Sequence, residues 1–130
     1  MAMNLTANDL VAEARARIRE IAPDAVQALP VEPVLIDVRE PAEFDTGHLP
    51  GAVNIPRGVL EFQVDAHPAV ANVSDPALSH RDQPLLLYCR TGGRAALATA
   101  VLQQLGFTDV RSIAGGITAW ADAGLPVVMR

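Results

Sequence analysis

Residues 85–88 read Leu-Leu-Leu-Tyr, apolar at every position, and run without a spacer into Cys89-Arg90-Thr91-Gly92-Gly93-Arg94. A short apolar run bounded by Pro84 on one side and by a glycine-containing loop on the other has the form of a buried strand. Beyond the loop, Leu97, Val101, Leu102 and Leu105 fall on one face of a helix, and Gly106 stops it. Strand, tight loop and helix in immediate succession make an α/β unit, which restricts what can be built around it.

The rest of the chain repeats the alternation. Thr6 and Asp9 have the form of a capping box. Behind it Leu10, Val11, Ala14, Ile18 and Ile21 recur at helical spacing, with Glu13 and Arg17 one turn apart. The spacing predicts an amphipathic first helix that packs outside any site. Pro23–Leu29 predicts a second short helix, Pro33–Ile36 a buried strand, and Pro41–Phe44 a helical turn. A loop punctuated by Gly47, Pro50 and Gly51 leads to a brief strand at Ala52–Ile55, and Gly58–Val64 reads as helix. Residues 65–84 are rich in Pro, Asn, Ser and Asp and are the least legible stretch; a helical turn near Asp75–Leu78 is expected there. That stretch is equally a candidate wall for a site mouth and a solvated connection. Val110–Ile113 reads as a further strand. Gly115-Gly116 then turns into a short helix carrying Trp120, ended by Gly124 and Pro126.

This order predicts an α/β domain with a mainly parallel sheet and helices on both faces. Ligands in such folds sit beyond the carboxyl ends of the strands. Two polar clusters lie at those ends, Asp37-Val38-Arg39 and Cys89 to Arg94, and they are expected to converge in space. With 130 residues, half of them apolar, the chain has material for one domain and one hydrophobic core.

The formal net charge of −5 argues against a nucleic-acid surface. It also opposes the approach of an anionic substrate unless positive charge is concentrated locally. A single cysteine allows no internal disulfide. No apolar leader and no apolar run of about 18 residues is found, so the expectation is a cytoplasmic protein without a membrane span.

The loop from Cys89 to Arg94 carries the chemistry. Gly92 and Gly93 lack a Cβ and allow the backbone angles that turn successive N–H groups inward, making an anion-binding nest. The following helix adds its unpaired N–H groups and the positive end of its dipole. A thiolate at the focus of these donors is favoured, and Arg90 and Arg94 can hold an incoming oxyanion. No Cys/His cluster with metal-ligand spacing is present, so neither a metal site nor a cofactor is expected.

At this point the sequence resembles the rhodanese family over nearly its whole length. Leu35-Ile-Asp-Val-Arg-Glu40, Glu43-Phe44, Gly47-His-Leu-Pro-Gly-Ala52 and Asn54-Ile-Pro56 resemble its first signature. Leu87-Tyr-Cys-Arg-Thr-Gly-Gly-Arg-Ala95 resembles its active-site loop, and Gly115-Gly116, Trp120 and Gly124-Leu-Pro126 its carboxyl-terminal signature. Residues 1–18 are left as an amino-terminal helical extension, with 19–130 as the rhodanese-like domain. The resemblance implies a three-layer fold with a five-stranded parallel sheet, and a persulfide carried on Cys89 and cradled by the backbone amides of Arg90, Thr91, Gly92, Gly93 and Arg94. Asp37 and Arg39 match positions beside that loop. Asp37 is expected to brace it by accepting hydrogen bonds; Arg39 either supports it through a carboxylate such as Glu43 or faces the substrate. His48 falls in a structural turn of the family, Trp120 in its core, and nothing assigns a role to His67 or His80.

The implied activity is a sulfurtransferase that takes sulfane sulfur from thiosulfate or another persulfide donor and gives it to a thiol or cyanide. Four residues separate Cys89 from Arg94. The related cysteine phosphatases and arsenate reductases have one more, a wider cradle suited to a tetrahedral oxyanion. The alternative from a different class is a thiol-based redox or sulfur-sensing module without turnover, for which no second cysteine is available as a resolving partner. The physiological donor and acceptor and the oligomeric state stay open.

Overall fold

The computed structural model describes residues 4–64 and 81–129. The elements in chain order are α1 (Ala7–Arg17), β1 (Arg19–Ile21), α2 (Pro23–Val26), β2 (Val34–Asp37), α3 (Pro41–Asp45) and β3 (Val53–Asn54). A 3₁₀ turn (Arg57–Val59) and α4 (Leu60–Gln63) follow, then β4 (Leu85–Tyr88), α5 (Gly93–Gln104), β5 (Val110–Ile113) and α6 (Gly116–Asp122). The helical turn expected near Asp75–Leu78 lies outside the described residues.

Five strands form one sheet in the order β1-β5-β4-β2-β3, every pairing parallel. β4 lies at the centre, and each of its four residues is buried. The pleat sends alternate residues to opposite faces. Leu85 and Leu87 join Ile36, Val38, Leu60, Ala98 and Leu102 in a core under α4 and α5. Leu86 and Tyr88 join Val26, Leu49, Ile113 and Trp120 in a second core under α2 and α6. Helices therefore cover both faces, giving the three-layer α/β arrangement expected from the sequence.

The first helix is shorter than its apolar spacing suggests. The capping box forms as read, with the Asp9 N–H donating to Thr6 Oγ1 and the Thr6 N–H donating to the Asp9 carboxylate. The helix stops at Arg17, however, and Ile21 belongs to β1 on the sheet edge, in register with Ile113. A three-residue edge strand is too short for its period to show. Ile18 and Ile21 are three apart and satisfy a helical spacing equally well, so the partner strand decides.

α1 packs against α5. Ala14 packs into a small cluster with Ala96 and Ala100 of α5, flanked by Val11, Ile18 and Leu97. Small residues on both helices allow this close approach, which brings α1 alongside the amino-terminal end of α5.

Candidate active site

β4 delivers Cys89 to the carboxyl edge of the sheet, and α5 begins four residues later at Gly93. Cys89 is buried, with 2% of its surface exposed. Its Sγ accepts hydrogen bonds from the N–H of Gly92 at 3.1 Å and of Ala95 at 3.4 Å. The sulfur thus lies at the focus of a loop amide and an amide of the first turn of α5, as the anion nest requires. Gly92 makes this possible. Its φ of +118° is a backbone conformation that side chains disfavour, and it turns the chain so that its own N–H faces the sulfur.

The loop is braced from α6. The N–H of Ile117 donates to the carbonyl of Cys89 at 2.9 Å, and that of Thr118 to the carbonyl of Arg90 at 3.1 Å. Gly116 sits so close beneath that a Cβ there would lie 2.5 Å from both carbonyl oxygens, at a φ of +62°. Gly116→Ala is therefore expected to destabilise the fold by about 1 to 3 kcal/mol through overpacking. Because the displaced atoms belong to Cys89 and Arg90, reactivity of the thiol should fall well beyond what the unfolded fraction explains; melting and alkylation rates measured together check this.

The two polar clusters converge through β2 and β4, where Asp37 is in register with Tyr88. Asp37 is fully buried, and its carboxylate accepts hydrogen bonds from the Arg39 backbone N–H, Nε and Nη2 at 2.7–3.1 Å. Arg39 Nη2 also donates to the carbonyl of Gly47 at 2.7 Å. Burial works against the guanidinium charge, but the hydrogen bonds and negative charge of Asp37 outweigh it and raise the Arg39 pKa. Tyr88 lies beside this pair. Its hydroxyl oxygen accepts from the Leu49 N–H, and burial, then the Asp37 charge, push its pKa far above the ordinary tyrosine value.

Loop bracing by a carboxylate falls to a different residue from the one expected. The oxygens of Asp37 are engaged by Arg39, whereas Glu43 on α3 holds Arg94 in a two-pronged pair, Nη1 to Oε1 at 2.7 Å and Nη2 to Oε2 at 3.0 Å. Arg39 accordingly supports the turn after β2. Glu43 stands in the signature as a carboxylate, but its partner could not be read from spacing because Arg94 is 51 residues away. Arg90 is exposed and, among the described residues, has no ion-pair partner. The two arginines therefore differ: Arg94 is charge-compensated and fastens the loop, while Arg90 presents an unpaired cation.

The Arg94 hydrogen bonds hold the Glu43 carboxyl down to about 2, against an ordinary 4.5. A depressed carboxylate stabilises the fold above its unfolded pKa and loses that contribution as pH falls through the folded one. Glu43→Gln should thus cost at most about 1 kcal/mol above pH 4.5, the pair being partly exposed, and the difference from wild type should vanish towards pH 2. Urea denaturation across that range would show it.

His48 is buried, its Nδ1 3.0 Å from the Phe44 carbonyl and its ring stacked on Phe44 at 3.7 Å. Its backbone pairs with Val128, tying the turn to the carboxyl-terminal segment. Trp120 packs in the second core and donates to the Pro126 carbonyl. Among the described residues, no group of three or more His, Cys, Asp or Glu could hold a metal ion, and no helix is long and apolar enough to cross a membrane.

The rhodanese-like domain family matches residues 19–123, and the chain belongs to that family. A sulfurtransferase from Allochromatium vinosum is 35% identical over 95 residues, covering 73% of this chain and 78% of the relative. The human thiosulfate:glutathione sulfurtransferase is 35% identical over 92 residues, covering 68% and 78% of the two chains. A solved structure from Rhodopseudomonas palustris, described as a protein of unknown function and possible tyrosine phosphatase, superposes with a TM-score of 0.80 at 28% identity and covers 98% of both chains. The sulfurtransferase relatives support a rhodanese-type sulfurtransferase here.

Proposed function

We propose that this protein moves sulfane sulfur from thiosulfate or another persulfide donor, through a persulfide on Cys89, to a thiol or cyanide acceptor. The observation that carries the reading is the Cys89 sulfur at the focus of two inward-turned amides, with the exposed cation of Arg90 next to it in the chain. In the first step the Cys89 thiolate attacks the outer sulfur of thiosulfate. The donor S–S bond breaks, and sulfite leaves with its electron pair. The resulting Cys–S–S⁻ carries its charge on the outer sulfur, where the amides of Arg90 to Arg94 and the positive end of α5 stabilise it. An acceptor thiolate or cyanide then takes that sulfur and returns the electron pair to Cys89, a two-step exchange that gives ping-pong kinetics. Arg90 receives the anionic donor; Arg94 and Glu43 keep the loop in shape, and Asp37 and Arg39 hold the turn after β2.

The human relative is named for thiosulfate and glutathione, which makes a small thiol a suitable first acceptor to try. A cytoplasmic setting, where a lone cysteine stays reduced, suits the cycle. Intact mass of the reduced protein before and after thiosulfate tests the proposal. A gain of one sulfur atom, reversed by cyanide, is expected. No gain from thiosulfate or from persulfide donors, together with sulfenic acid formation under peroxide, would replace it with the redox-sensing reading.

A further inference from the structure

The cations near Cys89 do not contribute equally. Arg94 is neutralised by Glu43 and Arg39 by Asp37. In a chain of net charge −5, the attraction of an anionic donor then falls to whatever unpaired positive charge remains at the loop. Arg90 is one such charge. A second, only loosely paired, comes from the amino-terminal helix, outside the span that the family matches.

Arg15 lies in the last turn of α1. Its Nη2 reaches the active-site loop so closely that a Cβ on Gly92 would stand 2.9 Å from it. Gly92 is the residue whose N–H binds the Cys89 sulfur at 3.1 Å. Through these two short links the guanidinium falls within about one Debye length, ~8 to 10 Å, of the reacting sulfur. Among the described residues it forms one ion pair, through Nε to Glu20 at 3.8 Å, between side chains 45% and 36% exposed. A long, solvent-screened pair of that kind leaves most of the positive charge uncompensated. The helix that carries Arg15 is fixed in place. The Thr6–Asp9 capping box closes its start, Ala14 is buried against Ala96 and Ala100, and Val11 lies where a Cβ on Gly93 would be 3.7 Å away.

We infer that α1 belongs to the functional site and that Arg15 is a specificity-determining residue, a cation at the rim of the Cys89 loop that favours anionic sulfur donors over neutral ones. The inference deepens the reading of Cys89 as the sulfur carrier and rests on it. Glycine at position 92 is required by its φ of +118°; a side chain there would in addition push the Arg15 guanidinium aside.

The test compares alkylation of Cys89 by anionic iodoacetate and by neutral iodoacetamide, in the full chain and in the Arg15→Gln and Arg15→Lys variants. Arg15→Gln should lower the iodoacetate-to-iodoacetamide rate ratio two- to fivefold, and Arg15→Lys should restore most of it. The wild-type ratio should fall with added salt more steeply than that of Arg15→Gln. A role confined to packing would change both reagents together and leave the ratio alone. Arg15→Gln should raise the KM for thiosulfate by a similar factor with little change in kcat, and Arg15→Lys should restore most of it. A ratio indifferent to Arg15→Gln, or a Cys89 closed to both reagents, overturns the inference. A wild-type protein with an Arg15-dependent ratio that takes no sulfur from any donor would overturn the proposed function instead.

Discussion

Cys89→Ser is expected to take up no sulfur from thiosulfate or from any persulfide donor, while unfolding within about 1 kcal/mol of the wild type. The loss follows from chemistry: a hydroxyl oxygen has no sulfur on which to carry the transferred atom. The retained fold follows from geometry. The Cys89 Sγ accepts from the Gly92 and Ala95 amides, and a serine oxygen can accept from the same two donors, so no buried amide is left unpaired. The position is buried next to Ala95 and Leu87, and serine is slightly smaller than cysteine, so nothing is overpacked. Intact mass after donor treatment and a urea melt of the same sample measure the two halves. Uptake by the variant above a few per cent of wild type would sink the assignment of Cys89. A folded variant that takes up nothing would separate chemistry from scaffold.

Asp37→Ala should be the most destabilising single change near the site, by about 3 to 5 kcal/mol, because it leaves a buried guanidinium without its counter-charge. Asp37 is fully buried and Arg39 is 4% exposed, so water cannot replace the missing carboxylate. Against a total stability of about 5 to 15 kcal/mol, a loss of that size can unfold much of the protein at body temperature. The pair is not itself the origin of stability. Removing both charges, by adding Arg39→Met to Asp37→Ala, should recover a large part of the loss, since desolvation of the pair offsets most of its attraction. The recovery should be incomplete, because the Gly47 carbonyl also loses its Arg39 donor. Denaturant midpoints of the single and double variants give the comparison. A single variant as stable as wild type would mean that the Arg39 charge had found another partner or reached solvent.

The elements that matter most for the site were legible because their signals are local. Leu85–Tyr88 is a buried strand by composition alone, and the glycines after Cys89 point to a turn whose amides face inward. The capping box of α1 and the Gly106 stop of α5 depend on residues within a few positions of each other, and the helices begin and end at or near them. Alternation of these units sufficed for an α/β domain with a parallel sheet, because parallel strands need helical crossovers.

What the sequence could not determine involved partners far apart along the chain. Ile21 became a strand residue because β5 lies beside it, 92 positions away in register. Glu43 chose Arg94 over Arg39 because β2 and β4 are neighbours and Arg39 was already held by Asp37. Arg15 reached Gly92 because alanines on α1 and α5 let the two helices pack closely. The sequence by itself determined the strand–loop–helix unit and the place of the thiol at the strand end; that the amides of Gly92 and Ala95 face the sulfur came from the fold. Only the tertiary structure decided which arginines have their charge compensated, since that depends on the carboxylates that the fold brings next to each guanidinium.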